Sequence, residues 1–318
     1  MGLLVEGRWQ DQWYESSKDG AFQREQAKRR NWVTADGRPG PSGEGGFKAE
    51  AGRYHLYVSL ACPWAHRTLI VRKLKGLEEL IPVSVVHPHM LDHGWELKDD
   101  FPGATGDPLH GKRYLHEIYT RAKADYSGKV TVPVLWDTRT DTIVNNESAE
   151  VIRIFNSAFD GITGNTADYY PDALRDEIDA VNARIYETVN NGVYKCGFAQ
   201  TQEAYDENIG PLFDTLDWLE ARLSDGRSWL VGDQLTEADI RLFTTLIRFD
   251  PVYFVHFKCN VRMIRQYEAL NAYMMRLHDL PEVKPTVHFD HIKQHYYYSH
   301  AHINPYRIVP RGPRLNTM

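Results

Sequence analysis

The spacing of hydrophobic and polar residues changes once along this chain, after Pro171. Before that point, between residues 53 and 155, short alternating or valine-rich runs predict strands, and the segments between some of them predict helices. The predicted strands are residues 54–59, 82–87, 132–136 and 142–144, and the predicted helices are 63–74 and one that begins at 145–148. A mixed pattern of this kind predicts an α+β domain.

After Pro171 the apolar residues recur at helical spacing. One stripe runs from Leu174 to Val189 in steps of four, three, four and four residues, and a second runs from Ile209 to Leu223 in steps of three, four, three and four. Thr236 is followed three residues later by an acid, Asp239, as at a helix N-terminus with a capping box. We therefore predict an all-helical domain that ends in an aromatic, basic tail.

Segments rich in glycine and proline mark the limits of these regions. Residues 36–46 contain five glycines and two prolines and predict a loop after an N-terminal extension. The extension carries Trp9, Trp13, Phe22 and Trp32, too many large apolar side chains for a free tail, so we expect it to pack on the body or on a partner subunit. A second loop-like insertion, rich in Gly, Pro and His, covers residues 88–128. The expected divisions are an extension at 1–46, an α+β domain at 47–160, a helical domain at 171–290 and a tail at 291–318.

Length, charge and cysteine content narrow the class of protein. The 318 residues suffice for two domains, and 43 acidic against 37 basic residues give a net charge of −6, which argues against nucleic-acid binding. We expect no membrane association, because no segment approaches the roughly 18 apolar residues of a span, and no secretory signal. Three scattered cysteines do not form a disulfide framework. We therefore expect a cytoplasmic protein.

Cys62 is the strongest functional candidate. It lies where a predicted strand gives way to a predicted helix, and Pro63 suits the first turn of that helix. A cysteine there faces unpaired backbone N–H groups and the positive end of the helix dipole, which lower the thiol pKa and favour the thiolate. Cys196 and Cys259 lack this context, and we interpret them as small buried hydrophobes. Ala65 stands where a C-x-x-C pair would have its second cysteine, so we expect one nucleophile that needs an external thiol.

Two further segments suggest a site for a peptide-like ligand. Pro133 falls where a central strand disfavours proline, and a cis peptide bond after Val132 would accommodate it and expose that backbone to a ligand. Glu147 and Ser148, at a helix N-terminus, offer an acid for an ammonium group, and N–H groups with a hydroxyl for a carboxylate. Taken alone, Glu147 and Ser148 are more simply interpreted as a routine helix cap.

Tyrosines and histidines are the remaining candidates. Tyr194, Tyr253 and residues 296–298 lie in the helical half, either as core aromatics or as a pocket whose hydroxyls donate to a thiolate or a phenolic substrate. His291 and His295 are four residues apart and could share a helix face. Because no H-E-x-x-H pattern or cysteine cluster accompanies them, we expect no metal site.

The segment from Tyr54 to Arg67, YHLYVSLACPWAHR, resembles the glutathionyl-hydroquinone reductases, the xi class of glutathione transferases. The resemblance extends over nearly the whole chain, with further matching segments at 93–95, 130–136, 146–150, 190–194 and 250–253. It implies a thioredoxin-like domain with a mixed sheet, followed by an all-helical C-terminal glutathione transferase domain. It also implies a homodimer, glutathione as co-substrate and a glutathionylated hydroquinone as substrate.

The resemblance implies roles for particular residues. Cys62 would be the nucleophile and Tyr194 the proton donor, while Tyr253 and Tyr296 would line the quinone pocket and lower the Cys62 pKa. The family often has arginine where this chain has Lys129, which keeps the charge but loses the planar guanidinium. The residues that would hold glutathione are Trp95, Lys129, Val130, Thr131, Val132, Glu147 and Ser148.

The implied reaction proceeds through a mixed disulfide. The Cys62 thiolate would attack the sulfur of a glutathionyl-hydroquinone and Tyr194 would protonate the departing ring carbon, after which a second glutathione would release glutathione disulfide. Two alternatives remain open. One is an omega-type thioltransferase or dehydroascorbate reductase that uses the same thiol, and the other is a non-catalytic ligand-binding protein that retains the fold.

Overall fold

A computed structural model describes residues 2–12 and 19–313, which divide into two compact units. The first unit contains residues 2–12 and 25–168, and the second contains residues 19–24 and 169–313. The N-terminal extension therefore contributes to both units instead of forming one of its own. Trp13, which we expected to pack with the rest of the extension, lies outside the described residues.

A mixed sheet forms the centre of the first unit. The sheet consists of β5 (Tyr54–Val58), β6 (Val83–Val85), β8 (Val134–Asp137) and β9 (Thr142–Asn145). These strands lie in the order β6-β5-β8-β9, with β5 parallel to β6 and antiparallel to β8, and with β8 antiparallel to β9. Every residue of β5 and β8 is buried, as expected for central strands that are covered on both faces.

Two helices of the first unit lie where the sequence predicted them, and a third lies in a segment predicted as a loop. Helix α1 spans Pro63–Leu74, as predicted, and packs against α3, which spans Ser148–Ser157 and begins at the predicted position. The insertion at 88–128, which we predicted as a loop, contains helix α2 at Leu115–Ala122. A short helix, α4, follows at Asp160–Thr163. The arrangement is the thioredoxin-like α+β architecture expected from the sequence.

The N-terminal extension packs on its own chain. Strand β1 (Leu3–Val5) pairs with β2 (Arg8–Gln10) and with β7 (Gly128–Lys129), and β3 (Trp32–Thr34) runs parallel to β4 (Gly46–Lys48). The segment before β3 continues the central sheet beyond β9: the Asn31 N–H donates to the Val144 carbonyl at 3.0 Å, and the Asn146 N–H donates to the Arg29 carbonyl at 2.9 Å. The edge strand β9 is thereby covered, which prevents it from pairing with other chains.

The second unit is helical, as predicted. Its α-helices are α5 Arg175–Ile185, α6 Gly192–Gly197, α7 Gln202–Leu223, α8 Glu237–Arg248, α9 Phe254–His256, α10 Glu268–His278 and α11 Phe289–Ser299. Every residue of α8 is buried, and it packs against α5 and α10. The predicted capping box is present at its start, where the Asp239 carboxylate accepts from the Thr236 N–H at 2.8 Å and from its hydroxyl at 3.0 Å.

Residues 19–24 are fastened to this helical unit by hydrogen bonds and by one aromatic anchor. The Gln200 N–H donates to the Gly20 carbonyl at 3.1 Å, and the Thr201 hydroxyl donates to the Asp19 carbonyl at 3.1 Å. Phe22 is buried, with its ring centroid 5.3 Å from that of Phe198. Phe22 is therefore part of the hydrophobic core of the second unit.

Across the described ranges of the chain, every helix is too short or too polar to cross a lipid bilayer.

Candidate active site

Cys62 occupies the N-cap position of α1. Its backbone is extended (φ −76°, ψ 122°), its carbonyl accepts the N–H of His66 at 3.0 Å, and Pro63 is the first helical residue. The Cys62 side chain makes no capping hydrogen bond and is partly exposed. A thiol placed here lies at the positive end of the helix dipole and is accessible to a ligand.

The two other cysteines lie in different surroundings. Cys196 and Cys259 are both buried, and burial raises the pKa of the Cys259 thiol well above its ordinary value. Its Sγ lies 3.9 Å from the Val193 carbonyl. Both are therefore buried small side chains, as the sequence predicted, whereas Cys62 is partly exposed.

The sheet register brings Cys62 next to the peptide before Pro133. Cys62 follows β5 and Val132 precedes β8, and these strands pair with Tyr57 opposite Val134. The Cys62 thiol consequently donates to the Val132 carbonyl at 3.7 Å, across 70 positions of sequence. The Val132–Pro133 peptide bond is cis, as the sequence predicted.

The segment from Lys129 to Val132 is fixed by a residue that the sequence analysis missed. Tyr119, in α2, donates its hydroxyl hydrogen to the Thr131 carbonyl at 2.8 Å and accepts from the Thr131 N–H at 3.3 Å. The same oxygen accepts from the Asn146 side-chain amide at 3.1 Å. Tyr119 is fully buried, and burial raises its pKa, so the hydroxyl remains protonated at neutral pH. One phenol thus joins the 129–132 segment to the start of α3.

Other residues of this segment have separate contacts. Lys129 pairs with Leu3 in the antiparallel β1–β7 ladder, and its carbonyl lies 3.4 Å from the Tyr126 hydroxyl. Val130 and Val132 are buried. The N-terminal extension therefore supports the segment that the family resemblance assigns to glutathione.

Two neighbouring side chains at the start of α3 differ in their hydrogen bonding. Glu147 is the N-cap, and its carboxylate accepts from the Ala149 N–H at 3.1 Å, so the simple cap interpretation is correct for this side chain. Ser148 is buried, and its Oγ has no hydrogen-bond partner within the described chain. A buried polar atom without a partner costs free energy, about 1–3 kcal/mol for a neutral group. Such an atom at a helix N-terminus is suited to a ligand carboxylate.

Trp95 lies in the insertion, away from regular secondary structure. It is buried, and its carbonyl accepts the Leu115 N–H at 2.9 Å at the start of α2. The preceding Gly94 has a φ of 72°, and a Cβ there would lie 2.7 Å from the ring of Trp9. Trp9 in turn stacks on His116, with ring centroids 4.7 Å apart, and donates to the Asp92 carbonyl at 2.9 Å. The extension thus packs over the loop that holds Trp95.

In the second unit, three tyrosine hydroxyls from distant parts of the chain meet. The Tyr296 oxygen lies 2.5 Å from that of Tyr194 and 3.0 Å from that of Tyr253. Tyr296 is buried, and its pKa is raised by burial and by its two phenolic neighbours. The adjacent Tyr297 instead donates to the Pro251 carbonyl at 3.1 Å. Tyr296 is therefore the member of the 296–298 run that connects with Tyr194.

Histidines cluster near these tyrosines without forming a metal centre. His256 Nε2 lies 3.1 Å from His300 Nδ1, and burial lowers the pKa of His256 to about 3. His291 and His295 are both on α11. Within residues 2–12 and 19–313, no group of three or more His, Cys, Asp or Glu side chains is placed to hold a metal ion.

Comparisons with known proteins agree over nearly the whole chain. Residues 61–158 match the family model of the glutathione S-transferase N-terminal domain, and residues 202–276 match that of the C-terminal domain. Glutathionyl-hydroquinone reductase YqjG of Escherichia coli is 57% identical over 314 residues, which are 98% of this chain and 95% of that protein. Its glutathione-bound structure superposes with a TM-score of 0.92, covering 99% of this chain and 97% of that one.

Two other relatives agree with this match. Glutathionyl-hydroquinone reductase PcpF of Sphingobium chlorophenolicum is 52% identical over 98% of this chain and 96% of that protein. The glutathione S-transferase Xi of Phanerochaete chrysosporium superposes with a TM-score of 0.89 at 53% identity, covering 94% of this chain and 95% of that one.

Proposed function

The chain belongs to the glutathionyl-hydroquinone reductases, the xi class of glutathione transferases, and on this premise we propose that it reduces S-glutathionyl-hydroquinones to hydroquinones with glutathione as co-substrate. The observation that carries the proposal is the position of Cys62 at the N-cap of α1, where its Sγ lies 3.7 Å from the Val132 carbonyl oxygen. The relatives named above as reductases match over nearly their whole length.

The first step transfers glutathione to Cys62. The Cys62 thiolate attacks the glutathione sulfur of the conjugate, an S–S bond forms, and the bond between that sulfur and the ring carbon breaks. The electron pair of the broken bond goes to the ring carbon, which takes a proton from the Tyr194 hydroxyl and leaves as hydroquinone. Tyr194 is left as a phenolate, so the negative charge has moved from the thiolate to the phenol.

The second step regenerates the enzyme. A glutathione thiolate attacks the glutathione sulfur of the mixed disulfide, releasing glutathione disulfide and the Cys62 thiolate. The proton lost by this glutathione restores the Tyr194 phenol. Position 65 is alanine, so the chain offers no second cysteine in a C-x-x-C arrangement, and an external thiol is required.

In this proposal glutathione binds to residues 129–132 and to the start of α3, the two segments that the Tyr119 hydroxyl joins. The Val132 backbone faces the Cys62 thiol and pairs with the cysteinyl part of glutathione, and Ser148 Oγ binds its γ-glutamyl carboxylate. Glu147, already the cap of α3, supplies negative charge for the ammonium group, and Lys129 supplies positive charge for a carboxylate. We assign Trp95, Val130 and Thr131 to the walls of this site, and Tyr253 and Tyr296 to the quinone pocket.

We further propose that the protein works as a homodimer in the cytoplasm. The family resemblance supports the dimer, and the scattered cysteines fit a reducing compartment. Light scattering on the purified protein tests the dimer directly, and a monomer mass would contradict it.

The deciding experiment is turnover of the glutathionyl conjugate of menadiol with glutathione. The parent should be active, Cys62→Ala inactive, and Tyr194→Phe at least tenfold slower. An inactive parent that transfers thiols to a mixed disulfide would instead identify the omega-type activity. A parent inactive in both assays, with no glutathione bound covalently at Cys62, would leave a ligand-binding role.

A further inference from the structure

Arg24, in the N-terminal extension, lies against Tyr194. The centre of its guanidinium is 4.9 Å from the centroid of the Tyr194 ring, and its Nε donates to Asn191 Oδ1 at 2.8 Å. Tyr194 is buried and Arg24 is half-buried. An arginine at this distance from an aromatic face is attracted to the ring.

The hydrogen bond to Asn191 places Arg24 on the same helical turn as Tyr194. The Asn191 carbonyl accepts the N–H groups of Tyr194 at 2.9 Å and Lys195 at 2.8 Å, so this residue opens α6. Its side chain, 5% exposed, is directed to Arg24. The guanidinium is therefore fixed relative to the backbone that carries Tyr194 as well as to its ring.

The position of Arg24 is further set by the buried segment that precedes it. Phe22 packs on Phe198, and its ring centroid is also 6.4 Å from that of Tyr194. The bonds from residues 200 and 201 to the carbonyls of Gly20 and Asp19 hold the backbone. An arginine on such a support loses little conformational freedom when it engages the ring.

We propose that Arg24 is a positioning residue for the reaction, holding the Tyr194 ring and stabilising the phenolate that remains after proton transfer. The inference rests on the proposed role of Tyr194 as the proton donor. A cation over the ring attracts the phenolate more strongly than the neutral phenol, so its effect is greater in the transition state than in the bound substrate. Tyr296, whose hydroxyl lies 2.5 Å from that of Tyr194, and Tyr253, whose ring centroid lies 6.1 Å from that of Tyr194, are both phenols, whereas Arg24 brings a positive charge to the Tyr194 ring.

The first test separates proton transfer from thiol chemistry. Arg24→Gln removes the charge and should lower kcat for a glutathionyl-hydroquinone about five- to thirtyfold, with KM changed less than twofold. Glutathione disulfide also converts Cys62 to the mixed disulfide, but its leaving group is a thiolate that needs no proton on carbon. The rate of that reaction should stay within twofold of the parent.

Two further variants serve as rescue and control. Arg24→Lys keeps the charge, so its kcat should be at least threefold higher than that of Arg24→Gln. Arg184→Gln is the matched control, since the Arg184 guanidinium lies 4.2 Å from the Trp218 ring centroid in the same unit, outside the proposed machinery. It should leave both reactions unchanged. Equal losses in the two reactions, equal losses in the Lys and Gln variants, or a kcat within twofold of the parent would overturn the proposal.

A spectroscopic measurement tests the role of Arg24 without relying on turnover. A parent that does not turn over glutathionyl-hydroquinones would refute the proposed function, but the effect of Arg24 on Tyr194 could still be measured. Protein labelled with 3-fluorotyrosine is titrated by 19F NMR, with the Tyr194 signal assigned from Tyr194→Phe. Arg24→Gln should move the midpoint of that signal to higher pH, and Arg184→Gln should not. A midpoint that does not move with Arg24→Gln would overturn the proposal.

Discussion

Removing the Tyr119 hydroxyl should weaken both the fold and glutathione binding, because this oxygen joins two parts of the proposed glutathione site. Tyr119→Phe keeps the ring and deletes the hydrogen bond donated to the Thr131 carbonyl at 2.8 Å and those accepted from the Thr131 N–H at 3.3 Å and the Asn146 amide at 3.1 Å. It also removes a 3.5 Å contact with the Thr131 hydroxyl. The phenol is fully buried, so water does not replace it at the same position.

The magnitude follows from the groups that lose their partner. Each buried polar group left unsatisfied costs about 1–3 kcal/mol. Asn146 is 7% exposed, whereas Thr131 is half-buried and regains part of its bonding from solvent. We therefore expect the free energy of unfolding to fall by about 2–4 kcal/mol in Tyr119→Phe. The looser 129–132 segment should also raise KM for glutathione about fivefold, with kcat changed little.

Urea denaturation followed by circular dichroism gives the stability, and steady-state kinetics with varied glutathione gives KM. Tyr126→Phe is the matched control, because its ring lies 5.1 Å from that of Tyr119 but its hydroxyl makes one long bond, 3.4 Å, to the Lys129 carbonyl. It should cost less than about 1 kcal/mol. A stability loss below about 0.5 kcal/mol in Tyr119→Phe, together with an unchanged KM, would refute the reasoning.

Three other perturbations have defined outcomes. Ser148→Ala removes a buried hydroxyl that has no partner within the described chain, so the free energy of unfolding without ligand should rise by about 1–3 kcal/mol. Calorimetry should show glutathione binding about tenfold weaker, and equal affinity would contradict this. Burial lowers the pKa of His256 in the folded chain to about 3, from 6.5. Between these two values the unfolded chain binds a proton at His256 and the folded chain does not, so the free energy of unfolding should fall by about 1.4 kcal/mol for each pH unit below 6.5, down to about pH 3. Denaturation between pH 7.5 and 4.5 checks this, and His256→Gln should flatten the slope; a slope as steep as the parent's would contradict it. Gly94→Ala places a Cβ 2.7 Å from the Trp9 ring at a φ of 72°, which should destabilise the fold by more than about 1 kcal/mol and raise KM for glutathione through the Trp95 loop; unaltered melting and KM would contradict it.

Local chemistry explains which parts of the fold were predictable. The start of α1 and the cap of α8 were predicted from Pro63 and from the Thr236–Asp239 pair, because capping acts within one helical turn. Helix α2 was missed inside an insertion rich in Gly, Pro and His, although Leu115, Ile118 and Tyr119 recur at helical spacing and are buried. Its role became visible only through the hydroxyl that Tyr119 places between two segments.

Tertiary contacts explain the rest of the candidate site. The tyrosines 194 and 296 are 102 residues apart, so their 2.5 Å contact depends on the packing of α6 against the C-terminal helix and on no local pattern. The same holds for Arg24, whose partner Asn191 is 167 residues away. The sequence indicated an excess of tyrosine in the helical half and apolar residues in the extension, but not which hydroxyls and charges meet.

The central claim is that the Cys62 thiolate takes glutathione from the hydroquinone conjugate, and intact-protein mass spectrometry tests it most directly. The parent is mixed with the glutathionyl conjugate of menadiol without free glutathione, and peptide mapping locates any adduct. The account predicts one glutathione on Cys62, none on the buried Cys196 and Cys259, and release of the adduct when glutathione is added. Continued turnover by a parent that never carries glutathione on Cys62 would contradict it.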